Sequence, residues 1–270
     1  MNIETARQMT QQLFPPDGTD FCCALCGSVL QKAELRDVDL MIFVDGQVRD
    51  WILKLTENLV RKGVEWSGRS IPELELESVK FRFQKNEYSL HITERRKIDE
   101  YLAQIENVSV YERNSIFGFE RNLSTIFRCW IQETRFLGGD AEMIECFRQK
   151  IQHSKVPFEE LKVWFARKLS GTVKYLNERD ALQNPMFSGV LLMQIFNLAV
   201  QYCFAANHQF FGTLKYLETD LRNFQEEREI VDLTLQIFES FSRQNLLHAV
   251  QYSELLVQKF TPILKNPKEK

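Results

Sequence analysis

The sequence predicts an α+β protein, with strands and covering helices in residues 1–98 and an α-helical bundle in residues 99–270. Two patterns carry this. Before residue 99, short apolar or alternating runs end at turn residues, as where Val38-Asp39-Leu40-Met41-Ile42-Phe43-Val44 meets Asp45-Gly46. After Asp99, breakers are few and apolar residues recur at three- and four-residue spacing, the pattern of helices that bury one face.

The elements follow in order. Residues 1–14 read as a polar helix stopped by Pro15-Pro16-Asp17-Gly18. Residues 20–26 read as a strand, 28–34 as a short helix after Gly27-Ser28, and 38–44 as a second strand. Between 48 and 62, Val48, Trp51, Ile52, Leu55, Leu59 and Val60 make one helical face. From Glu77 to Glu94 the chain reads as a hairpin, Val79–Phe83 and Tyr88–Thr93 about a Lys85-Asn86 turn. Continuous helix is expected beyond that, near 98–106, 119–135, 140–153, 157–168, 172–182, 188–206, 208–223, 226–242 and 244–260. Leu191, Leu192, Ile195, Phe196, Leu198, Ala199, Tyr202 and Cys203 make one of these apolar on most sides, which places it at the centre of the bundle. The Pro- and Lys-rich tail after Phe260 is expected to fray.

Composition narrows the function classes. An apolar content of 44% with 26% charged residues is ordinary for a globular chain and excludes a disordered one. A net charge of −3 and a pI near 5.9 argue against general nucleic-acid affinity, while leaving room for a local basic patch. The first dozen residues lack an apolar signal core and no uninterrupted apolar run reaches membrane-spanning length, so the expected location is the cytoplasm, with no membrane partner. Six cysteines include the C-x-x-C of Cys23 and Cys26, but a four-ligand zinc site would need a second spaced pair. Buried reduced thiols are the expectation.

The chemistry-bearing feature is the pair Asp37 and Asp39 at the head of the apolar run. In a strand, alternate residues share a face, so the two carboxylates project together about 7 Å apart along the backbone. Such a pair offers hard oxygen ligands for Mg²⁺ and leaves positions open for substrate phosphates. Gly27-Ser28, upstream, adds close backbone approach and a hydroxyl for phosphate oxygens. In the hairpin, Glu87, Ser89 and His91 share one face. Glu87 is the acid among them, and His91 is a histidine, the side chain whose ordinary pKa lies near neutrality.

Leu25-Cys26-Gly27-Ser28, a nine-residue spacer and Asp37-Val38-Asp39-Leu40 resemble the signature of the DNA polymerase β-like nucleotidyltransferase superfamily. The resemblance implies a mixed sheet with flanking helices in the first domain. It also implies a Mg²⁺-dependent enzyme that moves a nucleoside monophosphate from an NTP, ATP foremost, to an acceptor hydroxyl and releases pyrophosphate. Asp37 and Asp39 would hold the metal and Gly27 and Ser28 the phosphates. The superfamily takes a third carboxylate from a later strand, where Glu87 and then His91 are the candidates for base. A helical second half resembles the aminoglycoside and lincosamide nucleotidyltransferases, of the streptomycin type. In these a helical-domain lysine reaches the phosphates, and Lys215 after Gly212 stands at the matching place. The acceptor, whether small molecule or macromolecule, is not named by these residues, and a homodimer is compatible with them.

Two other readings stand beside this one. The doubtful third carboxylate leaves open a catalytically degenerate nucleotide-binding protein, or an interaction protein of the toxin–antitoxin kind. Arg243 and His248, five apart on an expected helix, resemble the Arg-x-x-x-x-His of small helical ribonucleases, with Gln244 departing from the polar residue preferred after the arginine.

Overall fold

The protein is described from a computed structural model, in residues 3–14, 20–26, 37–71, 76–83, 86–112, 123–178, 183–212 and 217–265. It forms two compact units, Met1–Glu106 with Glu120–Lys155, and Asn107–Phe119 with Val156–Lys270. The α+β class holds: a six-stranded mixed sheet with helices, then a helical C-terminal region.

In the first unit, α1 (Ile3–Leu13), β1 (Phe21–Cys26), β2 (Asp37–Val44) and α2 (Val48–Arg61) fall where the apolar runs place them. They are followed by β3 (Trp66–Ile71), β4 (Leu76–Phe83), β5 (Asn86–Glu94) and α3 (Arg95–Leu102). The sheet order is β3-β4-β5-β2-β1, closed on the far side by a sixth strand. Only β2 and β5 run parallel; their neighbours pair antiparallel. Val38, Leu40, Ile42 and Val44 pair in register with Tyr88, Leu90, Ile92 and Glu94. The apolar members of these rows pack with Phe21, Cys23, Leu25, Val79 and Phe81 into one core.

That core is covered by α1 and α2. Phe14, Phe21 and Trp51 meet with ring centroids 5.3–5.9 Å apart, tying the end of α1 and the start of β1 to α2. Leu55 and Leu59 continue the buried stripe of α2. At its end Lys62 N–H reaches Asn58 and Leu59 carbonyls and Gly63, at φ +66°, turns the chain out of the helix.

Beyond residue 106 the chain departs from continuous helix. A short α5 (Leu123–Thr125) runs into a π-helix, Ile126–Gln132, and then into β6 (Arg135–Gly139), which pairs antiparallel with β1. The stretch expected as helix up to 135 thus ends in a sheet strand, whose short Arg-Phe-Leu-Gly-Gly carries no alternation to announce it. Gly139, at φ +85°, lies against the Phe21 carbonyl, which accepts the Asp140 N–H at 2.7 Å. The Asp140 carboxylate then caps α6 (Ala141–His153) by accepting from Glu142 and Met143 N–H. Arg148 of α6 donates to the carbonyls of Ile131 and Thr134, so α6 holds the π-helix and the turn after it.

The second unit holds α4 (Val108–Glu112), α7 (Phe158–Glu178), α8 (Pro185–Ala206), α9 (Leu217–Asn223), α10 (Arg228–Ser242) and α11 (Leu246–Lys265). The helices expected at 157–168 and 172–182 are one, because Gly171 sits inside α7 with open space around it. Asn184 caps α8, whose Pro185 occupies the first turn. By length and a mean hydropathy of 1.5, α8 passes for a membrane span, yet 72% of that window is buried, against α7, α10 and α11. Its end is sharp: His208 stands at φ 52°, and 207–212 is not helical, so the helix expected from 208 is confined to α9. Glu227, also left-handed at φ 54°, accepts from the Tyr202 hydroxyl and lies 3.9 Å from Lys162. Burial, with Glu227 next, pushes the Tyr202 phenol well above its ordinary value. The tail departs too, since α11 continues past Phe260, through Pro262, to Lys265.

Two of the positive-φ glycines, Gly63 and Gly139, separate strain from clash. Gly63→Ala adds a Cβ into open space and should cost about 1 kcal/mol. Gly139→Ala drives its Cβ into the Phe21 carbonyl and should cost several times as much, roughly 3 kcal/mol or more. Urea unfolding midpoints of the two variants measure this; equal losses would refute the close packing of β6 on β1.

Candidate functional site

The face of the sheet opposite the core carries the site. Along β2, residues 38, 40, 42 and 44 fill the core, so alternation assigns positions 37, 39, 41 and 43 to the other face. Asp39 there is half-buried, between buried Cys26 on β1 and half-buried Ser89 on β5. Position 37 pairs with exposed Glu87, and Met41 with half-buried His91. The side chain of Asp37 lies outside the described residues, as do Gly27, Ser28 and Lys215 altogether.

The parallel register therefore orders the acid candidates. Glu87 stands level with Asp37, and His91 stands four positions further along β5, level with Met41 and about 7 Å beyond Ser89. Ser89, not an acid, faces Asp39. Glu87 makes no ion pair among the described residues, although Arg82 of β4 stands directly across from it. Asn86 pairs with Phe83 and so belongs to β5 rather than to the turn expected at Lys85-Asn86.

One part of this face is closed and another is open. Phe43 meets Phe147 of α6 edge to face at 5.3 Å, and Cys22, in the same row as Phe43, lies beneath α6. Cys22, Ala24 and Cys26 are all buried, and both α6 and the π-helix pack on β1. Towards Glu87 and onto β4 and β3 the face meets solvent: Lys80, Arg82 and Ser67 are exposed. Ser78, opposite His91, is buried, and next along β5 Thr93 carries a buried hydroxyl with no hydrogen-bond partner among the described residues.

Lys80 and Arg82 are functional candidates that reading the motif alone passes over. The alternation of Val79, Phe81 and Phe83 with Ser78, Lys80 and Arg82 carries the signal, but only the β4–β5 register shows that these cations share the face of Glu87 and Ser89.

Among the described residues no three His, Cys, Asp or Glu side chains come together as a metal cluster. The ribonuclease-like pair is also separated. Arg243 caps the end of α10, Gln244 turns left-handed at φ 59°, and Asn245 starts α11 by accepting the His248 N–H. Arg243 and His248 are on different helices, because the Gln244 turn interrupts what the periodicity reads as one.

The cysteines are reduced and four are buried. Burial pushes Cys22 up to about 12, with Asp140 adding to it, and raises Cys23 well above the ordinary thiol value. Cys23 faces the core while Cys22 and Cys26 face α6 and Asp39, so the C-x-x-C lies along a strand rather than at a helix start.

No family model matches the chain, and no curated protein matches it. Among solved structures it is similar to a nucleotidyltransferase-like protein from Exiguobacterium sibiricum, at 11% identity, over 97% of this chain and 77% of that one, with a TM-score of 0.47.

The thiol arrangement sets a count. At pH 8 a disulfide reagent should label no more than Cys129 and Cys146 in the native protein and all six thiols in denaturant. Rapid native labelling of Cys22 or Cys23 would contradict their place between sheet and helices.

Proposed function

We propose that the protein is a Mg²⁺-dependent nucleotidyltransferase that transfers a nucleoside monophosphate from an NTP, ATP foremost, to an acceptor hydroxyl. The observation that carries this is the β2–β5 register, which sets the Asp37 and Asp39 positions beside Glu87 and Ser89 on the part of the sheet face that is open to solvent.

The donor set fits a hard divalent cation: positions 37, 39 and 87 are all carboxylates, on adjacent parallel strands. Asp37 and Asp39 would hold Mg²⁺. When bound, the cation supplies charge compensation for the triphosphate and a lower pKa for the attacking hydroxyl. Gly27 and Ser28, directly after β1, would seat the β- and γ-phosphates, and Lys215 would offset negative charge on the leaving group. Glu87 would take the proton of the acceptor hydroxyl as its oxygen bonds to the α-phosphorus and the bond from that phosphorus to the bridging oxygen breaks. Pyrophosphate leaves with that electron pair. His91, further along β5 and half-buried, is the second choice for base.

A second reading has an observation of its own. Ser89, directly across from Asp39, leaves that level of the face without a second acid, as a nucleotide-binding protein that has lost transfer would. Isothermal titration with ATP and Mg²⁺, followed by a pyrophosphate assay over an acceptor panel, separates the two; binding without release favours the degenerate form.

For the enzyme, Asp39→Asn should abolish Mg²⁺-dependent pyrophosphate release with unchanged circular dichroism and unfolding midpoint. Glu87→Gln should lower kcat by about 10²-fold or more, the usual worth of a positioned base. Parent-like turnover by Asp39→Asn refutes the metal assignment, and parent-like turnover by Glu87→Gln moves the base elsewhere.

A further inference from the structure

The transferase reading leaves the acceptor open, but the first unit limits how an acceptor meets Asp39. On the β1 side the face is closed by α6 and the π-helix, with Cys22, Ala24 and Cys26 buried beneath them. The transferase reading above gives the NTP to Gly27-Ser28, which follow β1 in the sequence. An acceptor is left with the other direction, across β5 onto β4 and β3.

There, beyond Glu87 and His91 of β5, half-buried Ser89 and exposed Ser67 supply hydroxyls and Lys80 and Arg82 supply exposed cations, while Ser78 is buried. Lys80 is paired with Ser89, which is itself paired with Asp39, so the three stand in one row across three strands. Strands lie about 4.8 Å apart, which puts the Lys80 backbone roughly 10 Å from that of Asp39. Neither cation has an ion-pair partner among the described residues. Arg49, Lys54, Lys62 and Arg135 of the same unit have no ion pair among the described residues either, so what sets Lys80 and Arg82 apart is their place on the face of Asp39 and Ser89. Two unpaired cations among hydroxyls recognise a phosphate, with Arg82 able to bind it bidentately, and oppose a cationic acceptor.

We infer that the acceptor carries a phosphate group, held on β4 by Lys80 and Arg82 in the row that leads to Asp39. This rests on the transferase reading. The acceptor hydroxyl lies by the carboxylates and its phosphate one to two strands away, a separation that a sugar phosphate or the end of an RNA strand spans. Both sources share the phosphate chemistry.

Equilibrium dialysis without ATP, using radiolabelled ribose 5-phosphate, a short oligoribonucleotide and unphosphorylated ribose, tests the inference. The parent protein should retain one or both phosphate-bearing probes and not ribose; which probe it retains identifies the source. The double variant Lys80→Glu, Arg82→Glu should weaken that binding by about tenfold or more, the loss of at least one charge-assisted contact. A charge-matched control on α2, Lys54→Glu with Lys62→Glu, should leave it unchanged, and unfolding midpoints establish that both variants are folded. With ATP and Mg²⁺ present, the β4 variant should raise KM for the phosphate-bearing acceptor by the same factor, with KM for ATP within twofold of the parent.

Failure of the parent to retain either phosphate-bearing probe overturns the inference. Equal weakening by the α2 control overturns it as well, since general charge would then explain the loss, and so does parent-like binding by the β4 variant. In each of these cases pyrophosphate release that is lost in Asp39→Asn leaves the transferase reading standing. Probe binding without pyrophosphate release under any condition has the opposite meaning: the cations bind a phosphate, the transferase reading fails, and the acceptor assignment falls with it.

Discussion

The parallel pairing of β2 with β5 is the constraint on which the rest of the first unit depends. Strand side chains repeat every two residues, so a slip of one position would exchange the two faces of β2 relative to its neighbour. Val38, Leu40 and Ile42 against Tyr88, Leu90 and Ile92 make such a slip prohibitive, since it would expose an apolar row and bury Asp39, Glu87 and Arg82. The apolar core thereby fixes, without touching them, which polar residues stand level with each other on the opposite face. Each of those rows buries side chains worth about 1.5–3 kcal/mol apiece, far more than any interaction among the exposed carboxylates and cations.

Coverage of the second face decides what the register can be used for. Capping by Asp140 begins α6 where β6 ends, and the Phe43–Phe147 contact and Arg148's bonds to the π-helix region fix where it lies. The same short stretch of chain that adds β6 to the sheet therefore also delivers the helix that closes the β1 side. What the described residues leave open is the part of the face around Glu87, Lys80, Arg82 and Ser67, whereas Ser78 and Thr93 on the same face are buried.

Much of this was legible in the sequence where local pattern and tertiary environment agree. The runs at 38–44, 48–62 and 79–93 become β2, α2 and the β4–β5 hairpin because their apolar positions face the core directly. Segments whose structure is imposed from elsewhere were not legible. Trp66-Ser67-Gly68-Arg69-Ser70-Ile71 has no apolar alternation and is a strand because β4 supplies its hydrogen bonds. β6 is set by pairing with β1, more than a hundred residues earlier. The breaks at His208 and Gln244 come from left-handed residues that are not glycine, which no composition rule marks, whereas Gly171 is a glycine that breaks nothing. In the site, the Asp-x-Asp face was legible from alternation alone. The level of each partner was not, because register across a parallel pair is a long-range property; it alone distinguishes Glu87 beside Asp37 from Ser89 beside Asp39.

The charge pattern of the open face follows from the same geometry. A chain of net charge −3 has no reason in bulk electrostatics to attract anions. Yet acids on β2 and β5 and cations on β4 are sorted by strand, from Glu87 one strand spacing of about 5 Å from Arg82 to Asp39 two spacings from Lys80. The two signs thus lie side by side on one face, within the screening length of about 10 Å at 0.1 M salt. Opposite Arg82, exposed Glu87 stands at the boundary between them, and in the proposed transferase this is where a base would take the proton of a bound hydroxyl and pass it to solvent, beside the cations that would hold the rest of the acceptor.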